Sequence, residues 1–252
     1  MDLGITGKRV LVTGASQGLG RAIAMDFARE GCQVAVVARR EDKLRELVTS
    51  MGGQECGHTL CAVDLMEEGG PSRFFSQLTA QDRSFDIVVH NVGGTLNVRD
   101  PLSGVEEWNR VWRFNVGIAI EINQLAIPPM QQNGWGRVVH ISSTAAIDVR
   151  GSGPYAAAKA YLNAYVKTVG RSLAQSGVVV SALMPGSLMA EGGHWEHVSE
   201  TNPFQIEDFL RHHQAIGRFG TPEEISPFAL VMGSELAKFA PACILPVDGG
   251  SM

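Results

Sequence analysis

Val10-Leu11-Val12-Thr13-Gly14-Ala15-Ser16-Gln17-Gly18-Leu19-Gly20 is the stretch on which the fold turns. Val10 to Val12 read as a short buried strand. The glycines after it let the chain turn tightly and let backbone approach a pyrophosphate. A helix opening near Gly18 aims its free N–H groups and the positive end of its dipole at the phosphates. The spacing Gly-x3-Gly-x-Gly differs from the Gly-x-Gly-x-x-Gly fingerprint, and glycine-rich turns also arise for structural reasons alone. Position between a first strand and a first helix is the context that favours a nucleotide. That helix, at residues 20–30, carries Ala22, Ile23, Met25, Phe27 and Ala28.

Outward from this unit, apolar runs alternate with helical patterns. Strands are expected at residues 34–38, 58–63, 87–89, 137–141, 178–183 and 243–247. Helices are expected at 41–48, 104–132 and 155–175. Strands with near-continuous apolar character need cover on both faces, and strand–helix alternation supplies it through crossovers in a parallel sheet. The fold class is therefore α/β: a Rossmann-type, doubly wound parallel sheet of about seven strands flanked by helices on both faces. Residues 1–252 are expected to form one domain, since no repeat, low-complexity tract or linker interrupts them. Ligands in such sheets bind at the carboxyl ends of the strands, which directs attention to Thr13, Ala38, Asp64, Asn91, Ser142, Ser143 and Pro185.

Composition narrows the partners. The 252 residues carry a net charge of −5, which gives no reason to expect nucleic acid or an anionic membrane. The longest uncharged apolar-rich run, 178–190, is broken by Pro185-Gly186 and is too short to span a bilayer. No apolar signal core precedes the first strand. Cys32, Cys56, Cys61 and Cys243 suit neither a zinc site nor a disulfide framework, and reduced thiols point to the cytoplasm.

The end of the second strand selects the cofactor. An acidic residue there would bind a ribose 2′-hydroxyl and favour NAD. This chain has Ala38 and then Arg39-Arg40, whose guanidiniums suit a 2′-phosphate. NADP(H) is favoured, with NAD(H) as the alternative; Glu41 and Asp42 partly offset the two arginines. Asp64 either accepts a hydrogen bond from an adenine amino group or caps a following helix.

Ser152-Gly153-Pro154-Tyr155 reads as a helix start. Tyr155 and Lys159 then lie one turn apart on one face. A tyrosine ordinarily keeps its proton to about pH 10. A neighbouring ammonium stabilises phenolate and lowers that value, which suits proton transfer to a carbonyl oxygen. Ser142 and Ser143 end the preceding strand at the same edge, and one of them is placed to hold the substrate oxygen against Tyr155. Asn115 is either an ordinary buried amide or the holder of a water beside Lys159.

These motifs together resemble the short-chain dehydrogenase/reductase family across essentially the whole chain. Thr13-Gly14-x3-Gly18-x-Gly20 is similar to that family's cofactor loop, and Asn91-Val92-Gly93 to its Asn-Ala-Gly segment. Asn115, Ser143, Tyr155 and Lys159 match its catalytic four. Pro185-Gly186, 218–224 and Val247-Asp248-Gly249-Gly250 match its later signatures. The resemblance implies hydride transfer between a nicotinamide and a small carbonyl or alcohol substrate, with Tyr155 as acid/base. It implies a cofactor held by Gly14, Ser16, Gln17, Gly18, Leu19, Gly20, Arg39, Arg40, Asp64, Leu65, Asn91, Val92, Gly93, Tyr155, Lys159, Pro185, Gly186, Ser187 and Leu188. It also implies a homotetramer or homodimer paired through the long helices.

The chain departs from the pattern in places. His90 stands where the family often has Asn, and Ser187 where it usually has Thr. The segment before Tyr155 is about one residue short, which leaves Ser142 in contention with Ser143. Residues 187–214 are expected to form a substrate lid. Its acidic balance points to a neutral substrate, and His194-Trp195-Glu196-His197 is too loose a spacing for a metal. Trp195 either packs over substrate or closes the lid on the body. The competing function is a non-catalytic nicotinamide sensor or scaffold on the same fold. The absence of room for a C-terminal substrate domain argues against a sugar-nucleotide epimerase.

Overall fold

The computed structural model describes residues 1–79, 84–148 and 151–251. In chain order the main elements are β1 (Arg9–Thr13), α1 (Gly18–Arg29), β2 (Gln33–Ala38), α2 (Glu41–Ser50), β3 (Thr59–Ala62), α3 (Gly70–Thr79) and β4 (Ile87–His90). Then come α4 (Val105–Trp112), a π-helical turn (Arg113–Gly117), α5 (Ile118–Gln132), β5 (Gly136–Ile141), α6 (Gly153–Leu173) and β6 (Val178–Pro185). The chain continues with α7 (His194–Thr201), α8 (Pro203–His213), α9 (Pro222–Met232) and β7 (Ile244–Val247).

Among the described residues the strands form one seven-stranded sheet in the order β3-β2-β1-β4-β5-β6-β7, and every adjacent pair is parallel. The alternation of side chains along a strand divides the core between two faces. Val10 and Val12 pack with Ile23 and Phe27 of α1, Leu44 of α2 and Ala229 of α9. Leu11 and Val88 face the other way, onto Phe74 of α3, Ile122 of α5 and Val166 of α6. Both faces of the sheet are therefore covered, as the near-continuous apolar strands require. Burying a side chain such as Phe27 contributes roughly 1.5–3 kcal/mol.

Four helices went unassigned in the sequence: α3, α9, and α7 and α8 within the 187–214 segment. α3 opens on Gly70-Pro71 just after Gly69, a run that reads as a turn, and its inward face rests on Phe74. α9 starts with a capping box in which Thr221 and Glu224 reciprocally satisfy the first N–H groups. The alternative role for Asp64, helix capping, is corrected by α3: the helix begins six residues later. Asp64 Oδ1 instead accepts from Met66 N at 2.9 Å, a local turn. The long stretch 104–132 is helical but passes through the π turn that contains Asn115. All four cysteines are free. No helix among the described residues is long and apolar enough to cross a membrane.

Candidate active site

The turn after β1 is laced to the end of β4. Thr13 Oγ1 accepts from Asn91 N at 3.1 Å and from Val92 N at 3.3 Å. Asn91 Nδ2 donates to Gly14 O at 3.0 Å. Gly14 has φ 67° and Gly18 φ 54°, a region that favours glycine. At Gly20 the requirement is steric: a Cβ there would lie 2.4 Å from both Asn91 Nδ2 and Gly14 O.

Above this turn lies a groove of about 520 Å³ at the carboxyl edge of the sheet. Gly14, Ser16, Gln17, Gly18, Arg39, Arg40, Asp64, Leu65, Asn91, Val92 and Gly93 line it, all of them expected from the sequence. Arg40 bends back over the loop, donating to Ser16 Oγ at 3.1 Å and to Gln17 Oε1. The other expected residues lie elsewhere. Leu19 packs against the core. Pro185 ends β6, paired with Val247. Gly186, Ser187 and Leu188 border a neighbouring cavity of about 180 Å³. Six groove residues were missed: Val63, Met66 and Phe114, and Glu191, Gly192 and Gly193 from the start of the 187–214 segment. Gly192 sits against the Gln17 amide, where a Cβ would come within 2.4 Å of Nε2. Paired glycines after a strand were the available signal.

At the other end, Ser152 caps α6, accepting from Tyr155 N at 3.2 Å and donating to Val98 O at 2.5 Å. The Ser143 side chain is near enough to the Tyr155 hydroxyl to favour its ionised form. Ser142 is engaged two turns further along α6, where its Oγ donates to Asn163 Oδ1 at 2.6 Å. The two serines are thus separated, and Ser143 is the one beside the phenol. Lys159 is buried, donates from Nζ to Ile141 O at 2.7 Å, and lies 5.6 Å from the Tyr155 ring centroid. We expect Ser143→Ala to lower turnover by about 10²-fold. Ser142→Ala should leave turnover within a few-fold and cost about 1 kcal/mol of stability. Steady-state kinetics beside denaturant unfolding separates the two.

Electrostatics amend the sequence argument. Burial holds the Tyr155 phenol above its ordinary value, opposed by the nearby Ser143 side chain. The lysine does not override this, because burial has depressed its own ammonium to about 7. Asn115 is also more committed than expected. Its Nδ2 donates to Gly94 O at 2.8 Å and Val111 O at 2.9 Å, and its Oδ1 accepts from Gly94 N at 3.0 Å. The amide side chain therefore fastens the Gly93-Gly94 segment to the π turn. A Cβ on Gly93 would come 2.7 Å from Asn115 Oδ1 and 3.0 Å from Lys159 Nζ. Gly93 is thus where the groove meets the tyrosine–lysine pair.

The histidines of the 187–214 segment are dispersed. His194 Nδ1 contacts Arg99 at 3.3 Å. Trp195 packs at a tilt against both Phe209 and Phe219, with centroids 4.2 and 4.7 Å away, in a three-ring cluster that closes its segment on the body. Glu196 accepts from Gly192 N at 2.6 Å.

Comparison with known proteins places the chain in one family. The family model described as short chain dehydrogenase matches residues 8–196. A 3-oxoacyl-[acyl-carrier-protein] reductase of Aquifex aeolicus is 27% identical over 255 residues, covering 99% of each chain. L-sorbose reductase from Gluconobacter frateurii, solved with NADPH and L-sorbose, superposes with a TM-score of 0.90 at 28% identity over 99% of this chain and 98% of that one. A 7α-hydroxysteroid dehydrogenase solved with NADH and 7-oxo glycochenodeoxycholic acid gives 0.89 at 27%, over 100% and 96%.

Proposed function

The chain belongs to the short-chain dehydrogenase family, and from that premise we propose that it interconverts a small ketone or aldehyde and the corresponding alcohol, with NADP(H) preferred over NAD(H). The observation that carries the reading is the meeting of Ser143, Tyr155 and Lys159 beside Gly93, at the rim of the groove.

The groove fits a dinucleotide. Its glycine turn and the N-terminus of α1 offer backbone N–H groups to a pyrophosphate. Arg40, steadied by Ser16 and Gln17, offers a guanidinium to a 2′-phosphate. The bound nicotinamide would supply or accept the hydride. The protein's own part is to bind, orient and move a proton. Ser143 holds the substrate oxygen against Tyr155. In reduction the Tyr155 hydroxyl gives its proton to the developing alkoxide, and in oxidation it takes the alcohol proton back. Lys159, when protonated, stabilises the resulting phenolate. Residues 187–214 close the site over the substrate, a role supported by the place of Glu191 to Gly193 on the groove wall.

The test is thermal unfolding with NADPH, NADP+, NADH and NAD+ at matched concentrations, since a ligand bound only by the folded state raises the midpoint. The phosphorylated pair should give the larger shift. In Arg40→Asp that advantage should fall by about 10-fold or more in Kd, reflecting one lost charge-assisted pair of roughly 1.5–3 kcal/mol. Equal shifts with all four nucleotides would refute the 2′-phosphate assignment; no shift with any would refute the enzyme reading.

A further inference from the structure

The first turn of the 187–214 segment rests on the glycine loop. Gly193 N donates to Ala190 O at 2.9 Å and Gly192 N to Glu196 Oε2 at 2.6 Å, so residues 190–193 fold back tightly onto α7. Both ends of this turn are fastened to the residues before α9: Met189 N donates to Gly220 O at 2.9 Å, and Trp195 packs on Phe219. Its middle lies on the loop. A Cβ on Gly18 would stand 3.6 Å from the Ala190 methyl. A Cβ on Gly192 would stand 2.4 Å from Gln17 Nε2 and 3.0 Å from Gln17 Cδ and Oε1. With φ at 67°, Gly192 turns its open side onto that amide.

The other edge of the same amide belongs to Arg40. A guanidinium only donates, so Gln17 Oε1 faces Arg40 and Nε2 is left toward Gly192. Arg40 commits one nitrogen, Nη2, to Gln17 Oε1 and Ser16 Oγ. The rest of its fork remains for an anion. Arg40 is exposed, whereas Gln17 is half-buried between it and the turn. An exposed arginine held by two neutral acceptors leaves them readily; one whose free edge also grips a phosphate does not. Whatever holds Arg40 therefore holds the amide, and the amide is the surface on which Gly192 sits. The chemistry above makes no use of this contact.

We propose that Gln17 is a positioning residue that passes the presence of a 2′-phosphate from Arg40 to the lid, so that the carbonyl compound is bound more tightly behind NADPH than behind NADH. The inference rests on the proposed roles of Arg40 and of residues 187–214, and it goes beyond them. Cofactor choice is then expressed twice: in the affinity for the nucleotide, and again in the KM for the carbonyl compound. By linkage, a lid closed over substrate favours the phosphorylated nucleotide by the same factor.

The first test needs no turnover. Amide hydrogen exchange across residues 189–198 is followed in protein saturated with NADP+ or with NAD+. Wild type should exchange about 5-fold or more slowly with NADP+. In Gln17→Met a flexible side chain of similar length still fills the space under Gly192 but offers Arg40 no oxygen, and the two rates should come together. Equal rates in wild type overturn the proposal. A difference that survives in Gln17→Met overturns it too, because packing alone would then seat the lid. The cofactor assignment is judged separately: a larger thermal shift with NADP+ than with NAD+ upholds the 2′-phosphate reading whatever the exchange rates show.

The second test is kinetic. At saturating cofactor, the wild-type KM for the carbonyl compound should be about 5-fold or more lower with NADPH than with NADH. Gln17→Met and Arg40→Ala should each bring the two values within about 2-fold of one another, chiefly by raising the NADPH value. A KM raised by the same factor with both cofactors would make the role of Gln17 merely structural and overturn the proposal. An exchange difference in a protein that reduces no carbonyl compound would support the coupling and refute the catalytic reading.

Discussion

Tyr155→Phe loses carbonyl turnover by about 10³-fold while keeping its cofactor. General acid–base catalysis by one positioned group is worth roughly 10²–10⁴, and here the phenol has no substitute: Ser143 ordinarily holds its proton and Lys159 is turned onto Ile141 O. Removing one oxygen leaves the ring, which packs with Val98, Leu162 and Ala158, so the fold should be unaffected. Burial adds a pH signature. With the phenol raised, the protonated acid needed for reduction persists through neutral pH. The lysine at about 7 is charged below that value and neutral above it. Reduction should therefore weaken as pH rises through about 7. Oxidation, which needs phenolate, should strengthen with pH only as far as the lysine still supports it. Turnover with NADPH, paired with nucleotide-induced thermal shifts, checks the assignment. Turnover within 10-fold of wild type would remove Tyr155 from the chemistry; loss of the thermal shift as well would make the defect one of binding.

Gly20→Ala abolishes dinucleotide binding and lowers the midpoint of thermal unfolding by about 4–16 °C. The added methyl meets Gly14 O and Asn91 Nδ2 at 2.4 Å. One of these is backbone that cannot swing away, and the other is the amide that joins β4 to the glycine turn. Overpacking of this kind costs about 1–3 kcal/mol and the lost hydrogen bond about 1 more. At this chain length each kcal/mol is worth about 2–4 °C. The Gly14–Gly18 turn must also move to make room, so the N–H groups meant for the pyrophosphate lose their aim. Calorimetry with and without NADPH measures both effects. A variant that melts with wild type and still binds would show that the turn is not held by this contact.

The strands were legible because β-branched residues crowd into short runs, and a strand buried on both faces has no need of polar alternation. Gly14, Gly18 and Gly20 were legible because a turn approaching a phosphate has few sequence solutions. α3 was not, since Gly69-Gly70-Pro71 reads as punctuation and its apolar anchors are confined to Phe74, Phe75 and Leu78. The choice between Ser142 and Ser143 depends on which way a strand faces at its last residues, a matter of register decided across the sheet. The depressed ammonium of Lys159 and the raised phenol of Tyr155 are effects of depth, and spacing along a helix carries no depth. The stacking of the His90 and His140 rings is less visible still: they meet because β4 and β5 pair in one register, with about half a hundred residues between them.

The strand order has a consequence for how the protein is made. β1 lies between β2 and β4. β2 follows it within a few residues of α1, but the strand that covers its other edge starts at Ile87. Synthesis at about 5–20 residues per second leaves that edge bare for roughly 4–15 seconds after β1 itself is made. During that time Val10, Leu11 and Val12 present an uncharged apolar template with free backbone groups, the kind of surface to which other nascent chains add. Expression yield should thus depend on how quickly the ribosome reaches His90. Slow codons between α2 and β4 should send more of the product into inclusion bodies than the same codons placed after β5.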